Sequence, residues 1–119
     1  MENILKELEE QLLFYRKEDF NTLLAENYKE IGVSGKIYNK AMEMNYVNSH
    51  QALSETRLTI FDFSSQKIEE DLIMNSFKTT DKKTNASAFR TSFWKKQAKG
   101  NWQIFFHQGT SISEEGLIN

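Results

Sequence analysis

The sequence predicts an α+β fold, and two patterns carry that expectation. Apolar residues recur at helical spacing in several segments of the first half, and at alternating spacing in the second. The last third holds two aromatic-rich segments, Phe89–Trp94 and Trp102–Thr110, joined by a polar turn and read as a hairpin of long strands. With 119 residues and no linker or internal repeat, the chain is expected to form one domain, residues 1–119.

The elements follow in order. Leu5, Leu8, Leu12 and Tyr15 form one apolar stripe, so residues 2–16 are expected to be an amphipathic helix. A short second helix runs from Asp19, a favourable N-cap, to Ala25. Tyr28 to Val33 reads as a strand, with Ser34-Gly35 turning into a short partner, Lys36 to Tyr38. Asn39 can cap a third helix, Lys40 to Ser49, with Ala41, Met42 and the run from Met44 to Val47 on its apolar side. Thr56 to Phe63 alternates as a strand, Ser64-Ser65-Gln66 is expected to turn, and Ile68 to Lys78 to form the next strand. Thr80 to Asn85 is a polar turn before the hairpin, and Ser111 to Asn119 is expected to be a tail.

Composition narrows the function classes. A net charge of −2, from 15 basic and 17 acidic residues, gives no pull toward nucleic acid, so none is expected as a partner. The chain has no cysteine, which removes thiolate ligands, disulfides and cysteine nucleophiles. Its two histidines, His50 and His107, are far apart, so no metal site is expected, and no glycine-rich phosphate loop or other motif calls for a cofactor. No segment approaches the roughly 20 apolar residues of a membrane span, and the N-terminus lacks the basic start and apolar run of a signal peptide. A cytoplasmic protein without membrane attachment is the expectation.

The final strands are apolar on both faces. Strict alternation puts Trp102, Ile104 and Phe106 on one side of the last strand and Phe105 and His107 on the other. Helices can cover one face of such a sheet. The other also needs a cover, so a homodimer through the outer sheet face is expected.

Candidate chemistry lies in the same hairpin. His107 is suited to proton transfer near neutral pH, or else is a structural histidine bonded to its surroundings. Gln108 points to the opposite face unless a bulge intervenes, and Gly109 could supply one. Arg90 shares a face with Ser92 and Trp94 and needs an anionic partner if buried. Glu30 is the expected partner, leaving Arg90 either as an anion clamp for a ligand or as half of a structural ion pair. Glu30 could instead be a general base, but a neighbouring Arg90 would weaken it. Tyr15, Tyr28 and Trp94 are candidate donors to charge developing on a ligand.

The element order, together with Leu24-Ala25-Glu26-Asn27-Tyr28-Lys29-Glu30-Ile31-Gly32, Arg90-Thr91-Ser92-Phe93-Trp94 and the run from Trp102 to Thr110, resembles the nuclear transport factor 2-like superfamily. That superfamily includes ketosteroid isomerase-like and SnoaL-like proteins, and the match is nearest to its small bacterial domains of unknown function. Ser111 departs from the resemblance, standing where relatives often have proline. The resemblance implies a cone-shaped, cystatin-like α+β barrel: a curved antiparallel sheet wrapped around three helices, with an apolar pocket between them. It implies dimers through the sheet. It also implies a functional spread, from isomerases, dehydratases and hydrolases to ligand carriers and association domains. Two readings result. One is a small-molecule pocket protein for an apolar or acidic ligand, with cofactor-free acid–base chemistry by His107 and Glu30 and binding by Arg90, Trp94, Tyr15, Ser92 and Gln108. The other is a non-catalytic dimeric association module.

Overall fold

A computed structural model describes residues 2–113. Three helices, α1 (Glu2–Leu12), α2 (Lys17–Leu23) and α3 (Lys40–Ser49), pack on one face of a six-stranded sheet. The strands are β1 (Leu24–Ile31), β2 (Ile37–Asn39), β3 (Leu58–Glu69), β4 (Leu72–Asp81), β5 (Ser87–Lys96) and β6 (Trp102–Ser111), in the order β2-β1-β6-β5-β4-β3. The sheet is curved around the helices and its edges, β2 and β3, do not meet. The α+β class is as the sequence predicts. The expected all-antiparallel pairing is not: β6 runs parallel to β1 and antiparallel to β5. Three successive antiparallel pairings, β3 with β4, β4 with β5 and β5 with β6, lead to β6, which lies between β5 and β1.

The element ends differ from the sequence expectation for local reasons. Helix α1 stops at Leu12, not residue 16, because Tyr15 takes a left-handed backbone (φ 56°) that cannot continue a helix. Asp19 does not cap α2; it lies within the first turn, where its carboxylate accepts from Gln11 Nε2 at 2.6 Å and Arg16 Nε at 2.7 Å. Asn39 does cap α3, accepting from the Met42 amide at 2.9 Å. The serines expected to turn after Phe63 lie instead within β3, because Ser65 Oγ donates to Asn75 Oδ1 on β4 at 2.6 Å. The reversal falls at the charged Glu70-Asp71, where solvent can accept the side chains. Of the expected tail, residues 114–119 lie outside the described residues.

The core lies between the helices and the concave face. Leu5, Phe20, Leu24, Val47, Trp94 and Ile104 are buried together there. Its position corrects the strict alternation expected of β6. Phe93 pairs with Phe106 but Trp94 pairs with Ile104, so Phe105 is an extra residue, a β-bulge. Trp102, Ile104 and His107 therefore share the concave face. Phe105 and Phe106 instead both contact Phe93 on the convex side, each at a ring separation of 6.0 Å.

Candidate functional site

A cavity of about 140 Å³ opens between α1, α3 and the concave face. Leu12, Phe20, Leu24 and Ile104 supply apolar wall; Tyr15, Tyr28, Glu30, Glu43, Arg90 and His107 supply polar groups. The strands dictate which side chains reach it. Glu30 and His107 are register partners on the parallel β1·β6 pair. Arg90 is two register pairs further along, opposite Gly109, and so on the same face. Gly109 makes no bulge; its role is space. A Cβ there would lie 2.7 Å from Arg90 Nη1, so only glycine leaves the guanidinium its place.

Of the residues expected to form a site, Tyr15, Glu30, Arg90 and His107 line the cavity, and Ser92, Trp94 and Gln108 do not. Ser92 and Trp94 are fully buried behind the wall. Gln108 is exposed, because the bulge at Phe105 precedes His107 and leaves the two on opposite faces. The expected ion pair between Arg90 and Glu30 does not form among the described residues. Glu30 accepts from Tyr28 Oη at 2.7 Å, while Arg90 Nε donates to Thr79 Oγ1 at 3.0 Å and its Nη1 faces His107 Nε2 at 3.5 Å.

Two carboxylates escaped the sequence reading. Glu9 on α1 is buried. Its Oε2 accepts from Asn75 Nδ2 at 3.0 Å and from Trp94 Nε1 at 2.9 Å, and its Oε1 lies 3.2 Å from Ser92 Oγ. A signal existed: Glu9 stands four residues after Leu5 and three before Leu12, inside the apolar stripe. Glu43 on α3 had none, since α3 has no clean apolar stripe.

Burial governs the protonation of these groups. It pushes the Glu9 carboxyl above its usual range, and the three hydrogen bonds oppose that shift only in part. Burial, then the nearby Glu30 charge, raises Glu43 to about 7. Burial, then Arg90, lowers His107 to about 3, so the imidazole is neutral at physiological pH. Burial also lowers Arg90. Tyr15 and Tyr28 are pushed up, by burial first and by Glu30 second, and keep their protons as donors. The site can thus receive an anion at Arg90 and exchange a proton near neutral pH at Glu43. Among the described residues no three metal-ligating side chains converge.

Solved structures carry the same architecture. A nuclear transport factor 2-like protein from Cytophaga hutchinsonii is 18% identical with a TM-score of 0.77, matching 92% of this chain and 97% of its own. The chain has the nuclear transport factor 2-like fold. A candidate ketosteroid isomerase from Parabacteroides distasonis shares this fold (11% identity, TM-score 0.76, 97% of this chain and 90% of that one). So does the association domain of C. elegans CaMKII (12%, 0.69, 91% and 90%). At such identities the likeness concerns the fold. No protein-family model and no curated protein matches the sequence. No described helix is long and apolar enough to cross a membrane.

Proposed function

We propose that this protein binds a small apolar molecule bearing an acid group, with Arg90 as its anchor. The observation that carries this reading is the state of Arg90. Its guanidinium is mostly buried at the cavity, yet no carboxylate is within ion-pair reach among the described residues. A buried charge without a counter-ion is costly, and a ligand carboxylate would offset that cost through a charge-assisted pair. The apolar wall around it suits the rest of such a ligand.

The same cavity supports cofactor-free acid–base chemistry. His107, held neutral with its pKa near 3, is a weak base and serves better as a hydrogen-bonding group. Proton exchange falls to Glu43, whose pKa of about 7 matches the operating range. Glu30 keeps its donor Tyr28 and supplies the neighbouring charge. A thermal-shift screen of carboxylic-acid metabolites tests the binding reading. A ligand at a hundredfold excess over its Kd should stabilise the wild type by about 2.7 kcal/mol and should leave Arg90→Ala unshifted. Hits that Arg90→Ala retains, or no hit among acids, would overturn it.

A second reading, a non-catalytic dimeric association module, is favoured by the convex face. Phe89 is 46% exposed on the same face of β5 as Phe93, which packs against Phe105 and Phe106, and the helices cover only the other side. The CaMKII association domain shares the fold. A homodimer through this face is compatible with either reading. Light scattering at micromolar concentration should give a dimer mass for the wild type and a monomer mass for Phe93→Lys; a monomeric wild type would refute it.

A further inference from the structure

We infer that Glu9, a buried member of the cavity wall whose carboxylate is engaged by Asn75, Trp94 and Ser92, is a positioning residue. Through Ser92 and His107 it sets the direction of a hydrogen-bond chain that holds Arg90 in place for an anionic ligand. The inference rests on Arg90 being the anchor of the site.

The direction is set from the Arg90 end, by a group that can only donate, and at the other end the second Glu9 oxygen is already held as an acceptor. At one end the Trp94 indole, a donor only, fixes Glu9 Oε2 as an acceptor at 2.9 Å. Asn75 reinforces this: its oxygen is engaged by the Ser65 hydroxyl, which leaves its nitrogen to face Glu9. At the other end the Arg90 guanidinium has no acceptor, so His107 Nε2, 3.5 Å away, must be the unprotonated nitrogen. A neutral imidazole then carries its proton on Nδ1 and donates it to Ser92 Oγ at 2.7 Å. Ser92 has one proton of its own, and with its oxygen already accepting from His107 it gives that proton to Glu9 Oε1 at 3.2 Å. Every hydrogen in the series Arg90, His107, Ser92, Glu9 points the same way.

Glu9→Gln should reverse it. The new amide nitrogen cannot face the Trp94 and Asn75 donors, so it must turn to Ser92 and donate there. Ser92 then donates to His107 Nδ1, and the ring proton moves to Nε2. That places N–H against N–H at Arg90, and the guanidinium leaves its seat beside Gly109. The side chain keeps its shape while a carboxylate that only accepts becomes an amide that also donates, so a packing role for Glu9 would not predict this outcome.

The test is a long-range proton–nitrogen correlation spectrum of the His107 ring in ligand-free protein at neutral pH, with the rotation rate of the Arg90 guanidinium read from its nitrogen resonances. Wild type should show protonated Nδ1, bare Nε2 and slow rotation. Glu9→Gln should show the opposite tautomer and fast rotation. Should Glu9→Gln not fold, Ser92→Ala, which cuts the chain, should give mixed tautomers and fast rotation. A wild-type ring protonated on Nε2, or a tautomer unmoved by either variant, overturns the inference. Titration with benzoate as the probe adds the link to binding. Affinity should fall about tenfold in Glu9→Gln, the loss of roughly one hydrogen bond to a charged group. A swapped tautomer with benzoate affinity unchanged would also sink the inference. Wild type and Arg90→Ala that both ignore benzoate count against the anchor reading alone, because the ring and guanidinium signals need no ligand.

Discussion

Glu9→Ala should lower the unfolding free energy by about 3 kcal/mol, net of opposing effects. Burying the carboxylate is itself expensive, and burial raises its pKa despite three hydrogen bonds. Removing it recovers part of that cost. Against this, Asn75 Nδ2, Trp94 Nε1 and Ser92 Oγ all lose their acceptor at positions that solvent does not reach. Each unsatisfied buried donor costs about 1–3 kcal/mol, so three of them outweigh the recovered desolvation. The emptied volume beside Leu5 adds to the loss. For a chain of this length the melting temperature should drop by roughly 12 °C. Chemical denaturation reads the effect as a lower midpoint with unchanged slope. A midpoint within error of wild type would mean that water replaces the carboxylate, and that Glu9 is no structural requirement. Glu9→Gln keeps the shape and most of the acceptor capacity, so its loss should be smaller.

Why Glu9 stayed hidden shows where the sequence stops being readable. Patterns that act over a few residues were legible: the helical stripe of α1, the Asn39 cap, the Ser34-Gly35 reversal and the strands at either side of the final turn. Each depends on neighbours along the chain. The features that build the site depend on partners far from it. Ser64 and Ser65 look like a turn until Asn75 is placed opposite Ser65, ten residues on. Nothing local distinguishes Phe105 from Phe106, yet the extra residue at Phe105 decides that His107 faces the cavity with Ile104 and that Gln108 does not. Arg90 and Glu30 both border the cavity, but Tyr28 and Thr79 take the contacts expected between them. Tyr28 was legible as a donor; its choice of Glu30 was not. A glutamate in an apolar stripe is a local signal, but its meaning required Trp94 and Ser92, more than eighty residues away.

The second large effect is in acid. His107 has an ordinary pKa of 6.5 and a folded value near 3. Between those values the unfolded chain binds a proton that the folded chain refuses. Stability is therefore full above pH 6.5 and falls as the pH drops toward 3, by on the order of 4 kcal/mol in total from this group. Glu43 acts in the opposite sense. Its carboxyl moves from 4.5 to about 7, so the folded chain holds a proton that the unfolded chain releases, and stability falls as the pH rises through that interval. Glu43 is partly open to solvent, which reduces its share to roughly 1–2 kcal/mol. Variants separate the two. His107→Asn keeps a donor toward Ser92 and removes the titration, so its stability relative to wild type should improve steadily as the pH falls from 6.5. Glu43→Gln should gain on wild type as the pH rises from 4.5 to 7. Unfolding midpoints measured at several pH values would show both trends, and a His107→Asn difference that is the same at every pH would mean the ring is not held neutral. The opposed signs carry the chemical point. One environment strips the proton from the imidazole beside Arg90 and leaves a proton on the carboxyl beside Glu30. The glutamate on α3 is thus a group in this cavity able to take and return a proton at neutral pH, while the histidine stays neutral as a hydrogen-bonding partner of Arg90.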